Sequence, residues 1–167
     1  MKCLVSCVPE RMTRCGIGPM FSIITVLCGI VTSWLTFMYP AVFTMSGVSP
    51  WFCVVLGTVL VAGGTILYLI ALRTFNRGYR HNELLTHGPY ACVRHPIYAA
   101  WILLICPGVV LFFRSWLMLL LPLVAYISFK VSIHREDRYL EERFGQTYRD
   151  YRSRTNELFP TVETFTK

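Results

Sequence analysis

Charge is what this chain of 167 residues has least of: 15% of its side chains are Asp, Glu, Lys or Arg, against roughly 25% in soluble domains. Between Cys15 and Leu72 there is no Asp, Glu, Lys, Arg or His, a tract of 58 residues, where one bilayer crossing needs ~20. An ordinary soluble globule is therefore excluded. The 7 cysteines contain no CxxC and no paired spacing, which removes a disulfide framework. His87, Cys92 and His95 match no closed four-ligand pattern, so no metal is expected. GxSxG, a P-loop and a GxGxxG after a strand are all missing, so serine hydrolases and soluble nucleotide folds have no support. The segment MKCLVSCVPERMTRCG lacks an apolar core ahead of its charges and reads as a short cytoplasmic leader rather than a cleavable signal. Cys3, Cys7 and Cys15 could accept palmitate beside a membrane, with ordinary free thiols the simpler reading.

What is present is apolar: 54% hydrophobic side chains and a mean hydropathy of +0.51. Pro40, Gly47 and Pro50 divide the uncharged tract into spans at 19–39 and 51–72, with Tyr39 and Trp51 at the interface. Two more spans, 97–113 and 116–133, are separated by Arg114 and Ser115 and form a tight helical hairpin in which Lys130 can snorkel. The expected fold is an all-α polytopic bundle of about four transmembrane helices. It is one domain over 1–167, with a leader at 1–18 and a polar lobe made of 73–96 and 134–167. Gly57, Gly63 and Gly64 with Ala62 make a small-residue face for close packing inside the bundle or for a homodimer. Pro107, Gly108 and Pro122 should kink their helices.

All charged residues but Arg114 fall on one side of these spans, and the positive-inside rule places that side, with both termini, in the cytoplasm. Polar chemistry must be done there. The net charge of +7 is dispersed among acids, which suits anionic headgroups and not nucleic acid.

The densest cluster is GPYACVRHPIY, directly before the third span. Pro96 suits a first helical turn, leaving the amides of Ile97, Tyr98 and Ala99 as donors at the positive end of a helix, where a carboxylate or phosphate is favoured. Arg94 can match a carboxylate bidentately and His95 can add a hydrogen bond; alternatively both meet lipid headgroups. After the fourth span, Ile133, Asp137, Leu140 and Phe144 keep helical spacing up to Gly145, so the helix continues out of the membrane. Glu136 and Asp137 stand where it leaves, able to accept ribose hydroxyls or pair with an ammonium. Glu141 and Glu142 read as a solvated face. Tyr148, Tyr151 and Phe159 with Arg152 and Arg154 form a basic-aromatic tail that caps a site or lies on headgroups.

Leu84-Leu85-Thr86-His87-Gly88-Pro89-Tyr90, Val93-Arg94-His95-Pro96 and Tyr98, then Arg135-Glu136-Asp137, Leu140, Phe144-Gly145, Tyr148, Tyr151 and Leu158-Phe159-Pro160, resemble the isoprenylcysteine carboxyl methyltransferase family. The Gly-Pro-Tyr and Arg-His-Pro-x-Tyr elements are also similar to phospholipid N-methyltransferases and, more loosely, to NADPH-dependent sterol reductases.

The resemblance implies an integral-membrane methyltransferase that uses S-adenosylmethionine to methylate a lipid-like or hydrophobic acceptor, a carboxylate first of all. It implies cofactor contacts from Leu84, Leu85, Gly88, Tyr90, Arg94, His95, Pro96, Tyr98, Glu136 and Asp137. Catalytic roles go to Glu136, Arg152 and Arg154, the two arginines orienting an anionic acceptor. An amine acceptor would need a base, for which Glu136, Asp137 or His134 are candidates. One departure concerns specificity: Glu157 stands where many relatives carry a basic residue. The competing readings are an N-methyltransferase, an NADPH-dependent reductase, and a non-enzymatic membrane subunit.

Overall fold

The structure, a computed structural model, describes residues 18–81 and 83–160. The leader with Cys3, Cys7 and Cys15, and the end of the expected lobe at 161–167, lie outside them. Among the described residues the chain is helical, with one isolated bridge between Thr44 and Ser115. Four helices have the length and composition to cross a membrane: α1 (Gly18–Met38), α2 (Pro50–His81), α3 (Pro96–Phe113) and α4 (Leu120–Phe144, led in by a 3-10 turn at Leu117–Leu119). A short polar helix, α5 (Gln146–Arg154), follows. This is an integral multi-pass membrane bundle.

The pairs that pack are α1 on α4 and α2 on α3. Large side chains such as Ile30, Val59 and Ile66 stay exposed, as they can when the surrounding solvent is lipid. The α2–α3 seam is set by glycine. A Cβ on Gly64 would lie 2.7 Å from Ile105 Cγ1, and one on Gly108 would lie 2.7 Å from Val61 Cγ2 and 3.0 Å from the Gly57 carbonyl. Small residues let two backbones approach where apolar side chains gain nothing by leaving lipid. Gly63, expected on this face, has nothing within 4 Å and points away from it. The α1–α4 seam carries hydroxyls instead: Thr32 donates to Met118 Sδ at 3.0 Å, and Thr36 meets Ser115 at 2.8 Å.

Charge begins at Arg73, yet α2 continues to His81, because no proline intervenes and Leu85 folds back on Gly78, within 2.7 Å of where a Cβ would stand. At a 1.5 Å rise its 32 residues span roughly 48 Å, so its end stands clear of a ~30 Å hydrocarbon layer. The apolar stretch of α4 ends at Ile133, and the helix runs on, charged, to Phe144. Pro107 makes itself felt upstream, where Ala100–Ile105 is π-helical and Cys106 N donates five residues back to Trp101 O. A proline cannot follow an α-helical turn without losing a hydrogen bond and crowding a carbonyl, and a widened turn absorbs both. Pro122 falls in the first turn of α4, where the ring costs the helix no bond.

Away from the charged face, the α3–α4 hairpin turns on Arg114, whose φ of 46° and ψ of 44° are left-handed. Its side chain crosses to the α1–α2 connection and donates to Met45 O at 3.0 Å and Val48 O at 2.8 Å. Backbone bonds from Met45 N to Arg114 O and from Trp116 N to Phe43 O complete the tie. The one charge on that side therefore holds two loops together.

Candidate active site

At the charged end, three segments converge: the turn Pro89–Cys92 with the start of α3, the emergent part of α4, and the tail after α5. Gly88 (φ 62°, ψ −135°) and Gly145 (φ 55°, ψ −125°) make the two sharp reversals, in backbone regions that a side chain would strain. The residue pair Arg94-His95 is gripped through its backbone. Arg94 N donates to Asn156 O at 2.8 Å and His95 N to Glu157 O at 3.1 Å. Leu158 (3% exposed) anchors this tail in the apolar core beneath.

The tail is fastened twice more. Tyr148 donates to Asp137 Oδ1, and Tyr151 donates to the Tyr90 carbonyl at 2.6 Å. Burial pushes the Tyr90, Tyr148 and Tyr151 phenols up, with Glu136 adding to the rise at Tyr90 and Asp137 at Tyr148. All three stay neutral at physiological pH, so Tyr148 and Tyr151 hold their bonds as hydroxyl donors.

Arg94 and His95, 8% and 5% exposed, lie inside this arrangement. Arg94 Nη1 is 3.4 Å from Asp137 Oδ2 and Nη2 is 3.6 Å from Glu157 Oε1, longer than the ~2.7–2.9 Å of a tight charge-assisted bond. His95 sits between two carboxylates, Nε2 at 3.4 Å from Asp137 Oδ1 and Nδ1 at 3.9 Å from Glu136 Oε1. Arg94 Nε is buried without a hydrogen-bond partner, and His95 Nε2, equally buried, has only its long, poorly aligned contact with Asp137. Such orphans are costly unless something else meets them. Below His95 the ring of Phe129 stands 5.7 Å away and that of Tyr98 6.2 Å, with Phe21 edge-on to Tyr98 at 5.1 Å. The polar layer thus rests on an aromatic floor.

The structure brings together Tyr90, Arg94, His95, Pro96, Tyr98, Glu136 and Asp137 of the residues that the sequence nominates. Asp137, 5% exposed, is filled by Arg94, His95 and Tyr148, so it organises its neighbours. Leu84 and Leu85 are half-buried, Leu85 against Gly78 of α2, and Gly88 supplies the turn before Tyr90. The amide of Ala99, expected to be free, donates to His95 O at 2.9 Å, so the open donors of α3 reduce to Ile97 and Tyr98. Arg152 and Arg154 are not in the cluster. Both are exposed on α5, and Arg152 faces Glu141 at 3.7 Å. Three contributors passed over as site residues are Tyr148, Tyr151 and Glu157. A buried tyrosine spaced from an acid on the preceding helix is the signal that could have found the first.

The phospholipid methyltransferase family model matches residues 51–147, more than half of the chain. The chain belongs to the phospholipid methyltransferase family. Within it, a sequence from Oryza sativa subsp. indica named "probable protein-S-isoprenylcysteine O-methyltransferase" is 26% identical over 68% of this chain and 64% of its own length. The protein-S-isoprenylcysteine O-methyltransferase of Tribolium castaneum is 28% identical over 60% of this chain and 39% of its own. The chain thus spans less than two thirds of the curated relatives it matches. A solved eukaryotic intramembrane Ras methyltransferase, isoprenylcysteine carboxyl methyltransferase, superposes with a TM-score of 0.65 at 22% identity, over 93% of this chain and 58% of that one. The fold of this family member is that of the intramembrane methyltransferase.

Proposed function

We propose that this protein is an S-adenosylmethionine-dependent methyltransferase that esterifies a carboxylate on a lipid-like acceptor at the cytoplasmic face of its membrane. The observation that carries the proposal is the orphaned, buried Arg94 Nε, with His95 Nε2 only loosely met by Asp137 at 3.4 Å, beside the open amide end of α3. Donors that the protein leaves unmet, at the positive end of a helix, suit the carboxylate of an amino acid. The remaining groups fit the rest of that cofactor. Glu136 meets His95 only at 3.9 Å and keeps acceptor capacity for an ammonium or a ribose diol. The Tyr90 and Tyr98 rings offer faces to a cation or a base. When bound, S-adenosylmethionine supplies an electrophilic methyl group on a positively charged sulfur.

The chain's own contribution is then arrangement. A carboxylate acceptor is already nucleophilic at neutral pH, so no residue needs to remove a proton, and alignment with exclusion of water carries the rate. The tail bonded across Arg94 and His95 screens the site from the cytoplasm, and the aromatic floor closes it toward the bilayer core. The acceptor reaches it from the lipid side. The relatives named as isoprenylcysteine O-methyltransferases favour an isoprenyl thioether acid over an amine or a sterol-like ring.

The test is titration calorimetry of the detergent-purified protein with S-adenosylmethionine and with NADPH, using Arg94→Ala and Glu136→Ala beside wild type. Micromolar S-adenosylmethionine binding, near −8 kcal/mol, weakened at least tenfold in both variants, is expected. Saturable NADPH binding without S-adenosylmethionine binding would overturn the proposal.

A further inference from the structure

Lys130 is the single charged residue in the apolar part of α4, and an ionisable side chain inside a span is costly enough to call for a partner and a purpose. Its partner is Glu157 Oε2, while Glu157 Oε1 faces Arg94 Nη2 at 3.6 Å. One carboxylate from the tail therefore bridges two cations: Arg94 inside the site and Lys130 on its membrane side. Lys130 lies seven residues before Asp137, two turns down the same face of α4, with its ammonium 6.0 Å from the Tyr126 ring. The Lys130 side chain is 40% exposed, so unlike Arg94 it is open to a molecule arriving through lipid.

We propose that Lys130 anchors the acid group of the lipid-like acceptor, and that Glu157 occupies this anchor until the acceptor arrives. The inference rests on the carboxyl methyltransferase reading and names the residue that selects for the acid. Arg152 and Arg154 stand outside the cluster, and Glu157, an acid, is the tail residue that reaches it. Lys130 supplies an accessible positive charge from α4 instead. The exchange keeps charge in balance: an incoming carboxylate replaces Glu157 Oε2 on the ammonium, while Oε1 keeps its place by Arg94. One acceptor oxygen then bonds to the methyl carbon as the carbon–sulfur bond breaks. The electron pair stays on sulfur, and no proton moves. The methyl ester so formed is neutral, its hold on Lys130 is lost, and Glu157 reclaims the ammonium. The tail thus competes with the acid on arrival and favours departure of the ester.

The experiment compares an S-isoprenyl cysteine carboxylic acid with its carboxamide on the full chain in detergent, saturated with S-adenosylmethionine. Wild type should bind the acid at least tenfold more tightly, the scale of one hydrogen bond to a charged group. Lys130→Gln should abolish that preference, Lys130→Arg should retain it, and Glu157→Gln should lower the KM for the acid about threefold or more by removing its competitor. Affinity for S-adenosylmethionine, within about twofold of wild type in Lys130→Gln, shows that the variant is folded. An acid preference that survives in Lys130→Gln, or a Glu157→Gln variant as impaired as Lys130→Gln, would refute the anchor and leave the pair a structural brace. Intact S-adenosylmethionine binding with neither acceptor bound would refute it too. Wild type that fails to bind S-adenosylmethionine would instead bring down the methyltransferase reading on which the inference stands.

Discussion

Asp137→Asn is the sharpest perturbation that the site offers, since it changes charge while nearly conserving shape. The Asp137 carboxylate is 5% exposed and meets Tyr148, Arg94 Nη1 at 3.4 Å and His95 Nε2 at 3.4 Å. Removing one partner of a buried ion pair costs about 3–5 kcal/mol when the other charge is stranded. Arg94 keeps Glu157 at 3.6 Å, which moves the expectation toward the lower end. The Tyr148 bond survives to an amide oxygen but loses its charge assistance, about 1 kcal/mol. Together these give about 3–4 kcal/mol of disruption, shared between loosening of the tail and loss of ligand affinity.

The assay has two arms: calorimetric affinity for S-adenosylmethionine, and hydrogen exchange of the amides of Arg94 and His95, which the tail protects. Expected are an affinity loss of thirtyfold or more and a clear rise in exchange at both amides, with α1 unaffected. Tyr148→Phe should show the same pattern at smaller size. The double variant should fall short of the summed losses by about 1 kcal/mol, since the two groups share one bond. An Asp137→Asn protein that binds within threefold of wild type and exchanges no faster would show that the tail and Arg94 are held by something other than this carboxylate.

Gly145→Ala places a Cβ at φ 55°, ψ −125°, at a cost of about 1–3 kcal/mol; a lower Tm with faster proteolysis of the tail is expected. Gly64→Val must displace Ile105, only 2.7 Å from a Cβ at that position, so the α2–α3 seam should open and thermal stability fall by about 1–3 kcal/mol. Arg114→Ala loses two hydrogen bonds to loop carbonyls and keeps the left-handed backbone. It should lower Tm while leaving S-adenosylmethionine affinity unchanged, and a changed affinity would refute the separation of the two ends. Tyr151→Phe strands the Tyr90 carbonyl and should weaken cofactor binding severalfold, to about 1 kcal/mol.

The spans were legible because a bilayer demands long apolar runs, and the continuation of α4 to Phe144 followed from the spacing of Ile133, Asp137 and Leu140. The reach of α2 to His81 was not, since hydropathy reports where lipid ends and helices stop for other reasons. The convergence of Arg94, His95, Glu136 and Asp137 could be read from a helix start and a helix exit. The partners could not. Which acid takes which donor depends on the tail's path, set by the positive φ of Gly145, the burial of Leu158 and backbone bonds at Asn156 and Glu157. Arg114 misleads in the other direction: on the side that looks chemically empty, it is the staple between loops.

The bonds from Arg94 and His95 to Asn156 and Glu157 have a consequence for biosynthesis. A nascent chain delivers all four hydrophobic helices before those two acceptors have been made, so the bundle can be inserted while Arg94 and His95 still have their amides in water. The residues that complete the site follow the four described spans in chain order. A polypeptide terminated ahead of Thr155 would carry the four described spans but not the Asn156 and Glu157 carbonyls, leaving the Arg94 and His95 amides unroofed and the polar face open to proteolysis. The order of the chain thus lets the four spans form before the polar face is roofed.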